Sequence, residues 1–164
     1  MRAIRTTERS EPRAEFTVRR MTAYDTEQLT EFAAAPGMRC LCYGSDMYGH
    51  RCTAAADEAR RVLALLAVLP DGNVIGEAGY VTGVSGPGTA ELTVAVQAPY
   101  LHRGVVTRLL RELMSEAKAG GVKRLTARAV RNTAEPFDEF FAAGLRTVQL
   151  LTVGGVTEMT FELE

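Results

Sequence analysis

No apolar run in this sequence approaches the roughly 20 residues that a helix needs to cross a bilayer. The run containing Leu63 to Leu69 is the longest, and it reads as a buried strand. An excess of one charge sign is also lacking, since 19 Lys and Arg stand against 20 Asp and Glu for a formal net charge of −1. That balance leaves no electrostatic footprint for nucleic acid or an anionic membrane surface, so partners must be argued from a local site. Cysteine is scarce, with three residues in the chain. Cys40, Cys42, His50 and Cys52 can be written as a four-ligand zinc set, but the one-residue spacing within each pair splays alternate side chains and suits zinc poorly. Reduced, partly buried thiols and no metal are expected. Arg2, Arg5 and Arg9 have no apolar stretch behind them, which argues against a cleaved secretory signal and for a cytoplasmic location.

What is present suits one domain with its own core. Met1 to Glu15 is polar, arginine-rich and contains Pro12, which predicts a flexible lead-in, with residues 16–164 forming the domain. Phe16 to Met21 alternates like a half-buried strand, and Asp25 is placed to cap a helix that carries Leu29, Phe32 and Ala33 on one face. Pro36-Gly37 stops that helix, the stretch to Gly49 is irregular, and Ala54 to Arg61 reads as a second helix. Val62 to Leu69 and Val74 to Thr82 flank Pro70-Asp71-Gly72-Asn73 as an antiparallel hairpin. A strand over Ala90 to Val96 precedes a helix from about Arg103 to Ala119 that carries Val106, Leu109, Leu110, Leu113 and Ala117 on its apolar face. A strand over Lys123 to Val130, a helix from Pro136 to Ala142 closed by Gly144, and strands over Leu145 to Val153 and Val156 to Leu163 complete the chain.

The segment from Val94 to Leu110 carries the most chemistry, because a strand there runs through a tight basic loop into a helix start. The first backbone N–H groups of a helix lack intrahelical partners and point outward with the positive end of the helix dipole, so they form a seat for an anion. Gly104 allows close approach of the backbone, and His102 and Arg103 add donors and positive charge. An ordinary loop entering a surface helix has the same appearance.

With this order of elements, Phe16 to Glu164 resembles the GNAT superfamily of acyl-CoA N-acyltransferases. Within it, Phe16 to Met21, Ala90 to Val96, Tyr100 to Thr107 and Ala129 to Asn132 are most similar to the branch of bacterial protein lysine acetyltransferases. The resemblance implies an α/β fold with a mixed, mostly antiparallel central sheet of six to seven strands and about four flanking helices. It implies acetyl-CoA as co-substrate and no metal. The family motif Gln/Arg-x-x-Gly-x-Gly/Ala, whose backbone N–H groups hold the pyrophosphate, falls on Leu101 to Val106. Gly104 and Arg103 match it, whereas Leu101 replaces the Gln or Arg and Val106 the small last residue. Loss of one hydrogen bond to a charged group costs about 1.5–3 kcal/mol, so both changes weaken the seat.

The same resemblance assigns roles. Glu91 takes the place of the general base, accepting the proton of the attacking amine. Val94, Ala95 and Val96 supply backbone donors near the thioester carbonyl, His102, Arg103, Gly104, Val105, Val106 and Thr107 line the pyrophosphate seat, and Asn132 stands near the pantetheine arm. The thioester is expected between splayed strands over Ala90 to Val96 and Lys123 to Val130. Many relatives carry a tyrosine near the leaving thiolate; here that region offers Phe140 and Phe141, which cannot donate a proton and read as core residues. Glu77 reads as a surface residue, with a place in the acceptor cleft as its alternative, while Tyr43, Met47 and Tyr48 fall in the stretch that shapes the acceptor site. The acceptor is expected to be a small amine or a protein lysine, and the edge strand near the C-terminus suits pairing with a second copy of the chain. Two readings stay open: an N-acetyltransferase, or a GNAT-fold module that binds an acyl-CoA or a protein without turnover.

Overall fold

The computed structural model describes residues 15–43, 62–83, 86–130 and 135–163. Among the described residues eight strands form one sheet: β1 (Thr17–Arg20), β2 (Met38–Cys42), β3 (Val62–Val68), β4 (Val74–Thr82), β5 (Thr89–Gln97), β6 (Arg124–Val130), β7 (Arg146–Val153) and β8 (Val156–Glu162). Three α-helices accompany them among the described residues: α1 (Thr26–Ala34), α2 (Val105–Ala119) and α3 (Glu135–Ala142). The sheet runs β1-β3-β4-β5-β6-β8-β7, with β2 paired to β5 off this path. Every pairing is antiparallel except β5 with β6, which is the expected mixed architecture. The strand count exceeds the expected six to seven because Met38–Cys42, read from sequence as irregular, is a strand. The expected helix over Ala54 to Arg61 lies outside the described residues, and no described helix is long and apolar enough to cross a membrane.

Strand alternation divides the core. On one face Ala90, Leu92, Val94 and Val96 of β5 meet the buried α2 residues Val105, Val106, Leu109, Leu110, Leu113 and Ala117. Each such large apolar side chain contributes about 1.5–3 kcal/mol by leaving water. On the opposite face, Leu29 and Phe32 of α1 pack with Leu66, Val68, Val74 and Ala95. The hairpin turn forms as its sequence predicts, with Asp71 accepting from the Asn73 N–H at 2.9 Å and Gly72 at φ +91°. Asp25 occupies the N-cap position of α1 as expected, but its side chain makes no cap hydrogen bond to that helix. Its carboxylate accepts from the Thr22 N–H at 2.7 Å and from Arg19 at 2.6 and 2.8 Å, capping the short 3-10 turn Ala23–Asp25 ahead of α1. The Arg19 guanidinium holds that carboxyl well below the usual carboxylate range.

Candidate active site

The parallel strands β5 and β6 pair only at Thr89↔Arg124, Ala90↔Leu125 and Glu91↔Thr126, although both continue beyond these positions. The ladder therefore ends at Glu91 and the strands part, as expected for a slot between them. At this fork, on the face away from α2, lies a cleft of about 300 Å³ whose lining includes Tyr43, Glu91, Arg124, Thr126, Arg128 and Glu158. Alternation places Glu91, Thr126 and Thr160 side by side on three neighbouring strands, because their registers align. Glu91 is only 7% exposed, so its carboxyl belongs to the cleft and not to open solvent. Arg128 pairs with Glu158 at 3.5 Å within the same lining.

Beyond the fork, β2 lies along the edge of β5 that β6 has left. Met38↔Gln97, Arg39↔Val96, Cys40↔Ala95 and Cys42↔Val94 form an antiparallel ladder with a bulge between Cys40 and Cys42. Tyr43 then bridges to β6, its N–H donating to Arg128 O at 2.9 Å and its carbonyl accepting from the Arg128 N–H at 3.0 Å. Residues 38–43 thus span the gap. The outer edge at Val94, Ala95 and Val96, where the resemblance implied donors for a thioester carbonyl, faces the chain's own strand.

The seat before α2 forms with Gly104 as N-cap at φ +84°, a left-handed backbone that glycine adopts freely. A Cβ at Gly104 would meet nothing within 4 Å. His102 also has a positive φ, +60°, and its N–H donates to Glu139 Oε1 of α3 at 2.8 Å. His102 Nδ1 lies 3.3 Å from the same oxygen, and Thr107 Oγ1 donates to Glu139 Oε2 at 3.4 Å. Glu139 is 5% exposed. A carboxylate is therefore drawn to the positive end of α2, which is the anion chemistry expected of a helix start. Arg103 and Thr107 are half-buried at this mouth, while Val105 and Val106 are buried in the core, so the bulk of Val106 points away from the seat.

Glu77 departs furthest from its expected surface role, since it is 1% exposed in an interior strand. It is level with Leu66 of β3 and Ala95 of β5, beneath the apolar cluster of α1, and Cys40 is the next residue across the sheet. Neither of its carboxyl oxygens has a hydrogen-bond partner among the described residues. Burial, and secondly the nearby Cys40 thiol, push its carboxyl up to about 8. Neither Cys40 nor Cys42 is in a disulfide, and burial raises the Cys42 thiol. Phe140 is a core residue, edge-on to Phe161 at 5.7 Å, but Phe141 is 61% exposed because it lies on the outer face of α3. Asn132, Met47, Tyr48, His50 and Cys52 lie outside the described residues. No cluster of three or more metal-ligating side chains occurs among those described. Sequence reasoning passed over Glu139 and β2. The only local signals were an acidic residue beside Phe140 and the short alternation Met38-Arg39-Cys40-Leu41-Cys42.

The fold resembles several solved structures. The GNAT domain of Streptomyces lividans PAT superposes with a TM-score of 0.69 at 22% identity, over 90% of each chain. A GNAT-family acetyltransferase from Streptococcus pneumoniae gives 0.69 at 16% identity, over 92% of this chain and 100% of its own. The protein yncA of Salmonella typhimurium, solved with its cofactor acetyl-CoA, gives 0.66 at 18% identity, over 92% and 95%. These likenesses concern the fold and range beyond the lysine acetyltransferase branch. No curated protein sequence matches the chain. The sequence profile of the acetyltransferase (GNAT) family matches residues 18–144, which include both parted strands, the left-handed Gly104 turn and α2. On that match the chain belongs to the GNAT family of acetyltransferases.

Proposed function

We propose that this chain transfers an acetyl group from acetyl-CoA to a primary amine, with Glu91 as general base. The observation that carries the reading is the buried Glu91 carboxyl in a polar cleft, at the residue where the ladder between β5 and β6 ends. An amine with pKa near 10.4 is almost wholly protonated at pH 7 and needs an acceptor for its proton before it can attack. Glu91 takes that proton through one water. The neutral amine then attacks the thioester carbonyl directly, forming the C–N bond as the C–S bond breaks. The nitrogen gives up its second proton to water, and CoA leaves as a thiolate. With a thiol pKa near 8.5, that group leaves without a tyrosine acid and takes its proton from water.

The α2 N-terminus with His102, Arg103, Gly104 and Thr107 holds the pyrophosphate. Val94, Ala95 and Val96 offer their backbone edge to the acyl arm, and Asn132 contacts its pantetheine portion. The acceptor is a small amine or the lysine of a protein, met in a lining where Arg124 and Arg128 balance Glu91 and Glu158. Cys40 and Cys42 carry no disulfide, in keeping with a cytoplasmic setting. The chain works as a homodimer through its β7 edge.

Glu91→Gln is expected to lower turnover by about 10²- to 10⁴-fold, the usual contribution of a general base, while acetyl-CoA affinity stays within about twofold. Steady-state rates and calorimetric titration measure the two separately. Full retained activity removes Glu91 from the mechanism. A second reading, a GNAT-fold module without turnover, draws on Leu101 and on the chain's own groups in the seat and slot. Absence of acetyl-CoA binding up to millimolar concentration makes it the better one.

A further inference from the structure

We propose that the coenzyme slot is held shut by the chain itself, with residues 38–43 filling the edge of β5 and Glu139 filling the anion seat of α2. Acetyl-CoA then enters only by displacing both. The inference rests on the acetyltransferase reading for the identity of the entering ligand. The internal closure stands on two independent contacts.

The first is the ladder of Met38–Cys42 on β5 and the Tyr43 bridge to β6. An exposed strand edge accepts an extended amide-bearing chain by backbone pairing, and an acyl-pantetheine arm is such a chain. Two partners cannot use one edge. The second is the Glu139 carboxylate on the His102 N–H and Thr107 hydroxyl. It carries the same sign of charge as a pyrophosphate and sits at the mouth of the same helix start. The two segments are separate in the chain, one leading out of α1 and one within α3. The ends of the slot therefore differ chemically: the seat is blocked by charge and the edge by hydrogen bonding.

The test combines calorimetric titration with hydrogen exchange. The natural chain and Glu139→Gln are each titrated with inorganic pyrophosphate and with acetyl-CoA, and amide exchange over residues 38–43 is followed with and without acetyl-CoA. Removing the charge while keeping the shape is expected to tighten pyrophosphate and acetyl-CoA binding at least tenfold. Saturating acetyl-CoA is expected to speed exchange at residues 38–43 by at least tenfold, while α2 amides stay protected. Unchanged pyrophosphate affinity in the variant overturns the charge block and leaves Glu139 as a clamp between helices. Bound acetyl-CoA with residues 38–43 as protected as before overturns the edge block. If pyrophosphate binding tightens while acetyl-CoA stays silent on both proteins, the plug stands and the acetyltransferase reading falls. If Glu139→Gln does not fold, exchange on the natural chain decides alone.

Discussion

Glu77 shows what a single buried carboxyl does to the stability of this protein. Its two oxygens lack partners among the described residues, and its carboxyl is raised from the ordinary 4.5 to about 8, first by desolvation and then by Cys40. Between those values the folded chain keeps a proton that the unfolded chain has lost. By linkage, stability is fully present below about pH 4.5 and falls by about 1.4 kcal/mol per pH unit until the folded carboxyl ionises. Glu77→Gln removes the titrating group. Denaturant unfolding at pH 5 and pH 8 is expected to show the natural chain losing on the order of 2 to 4 kcal/mol relative to the variant across that interval. Equal pH slopes in both proteins would show that the carboxyl ionises normally. Glu91, on the same face of the neighbouring strand, lines an open cleft, so two acidic residues on one sheet face experience opposite surroundings.

At the scale of elements, close approach between strands and helix fixes where the α2 N-terminus lies. A Cβ at Gly79 of β4 would sit 2.9 Å from the Leu63 carbonyl oxygen of β3, which is backbone and cannot move aside cheaply. At Gly76 it would meet Leu109 Cδ1 at 3.0 Å and Val105 Cγ1 at 3.1 Å, the side chains that dock the start of α2 on the sheet. Gly79→Ala is expected to cost about 1–3 kcal/mol by urea unfolding, with Gly76→Ala costing less because side chains yield where backbone does not. An equal or larger loss for Gly76→Ala would mean that the α2 docking is the tighter of the two contacts. Much of this layout was legible in the sequence. The hairpin was marked by Pro70 to Asn73, α2 by the 3.6-residue spacing of Leu109, Leu113 and Ala117, and the seat by Gly104. β2 was not, because five residues give too short a period, and its meaning lies in pairing with residues far along the chain. Glu139 was illegible for the same reason, since its hydrogen-bond partner His102 stands 37 positions away. Phe141 misled because its apolar character suggested burial, whereas only its neighbour Phe140 faces the sheet.

The whole molecule is a sheet whose two ends are unlike. One end is β1, four residues long and bearing Arg19 and Arg20, which makes a short, charged edge. The other is β7, eight residues long, with Val148, Leu150, Leu151 and Val153 exposed and no lysine or proline in the strand. Arg146 is its one charge, at the end of the strand, and the long apolar edge beyond it pairs with another strand when one is available. Antiparallel pairing of β7 with the β7 of a second copy about a two-fold axis satisfies both edges at once, and because Gln149 of β7 lines the cleft at Glu91, the join borders that cleft. Light scattering behind size exclusion is expected to give twice the 17.8 kDa chain mass at micromolar concentration. Leu151→Lys is expected to return it to the single-chain mass with folding stability changed by no more than about 0.5 kcal/mol, since an exposed position carries little of the core. A natural chain that stays at the single-chain mass over the whole concentration range would mean that this edge remains unpaired. A dimer that survives the lysine would place the join elsewhere, because a charge facing its own copy across an antiparallel pair repels it.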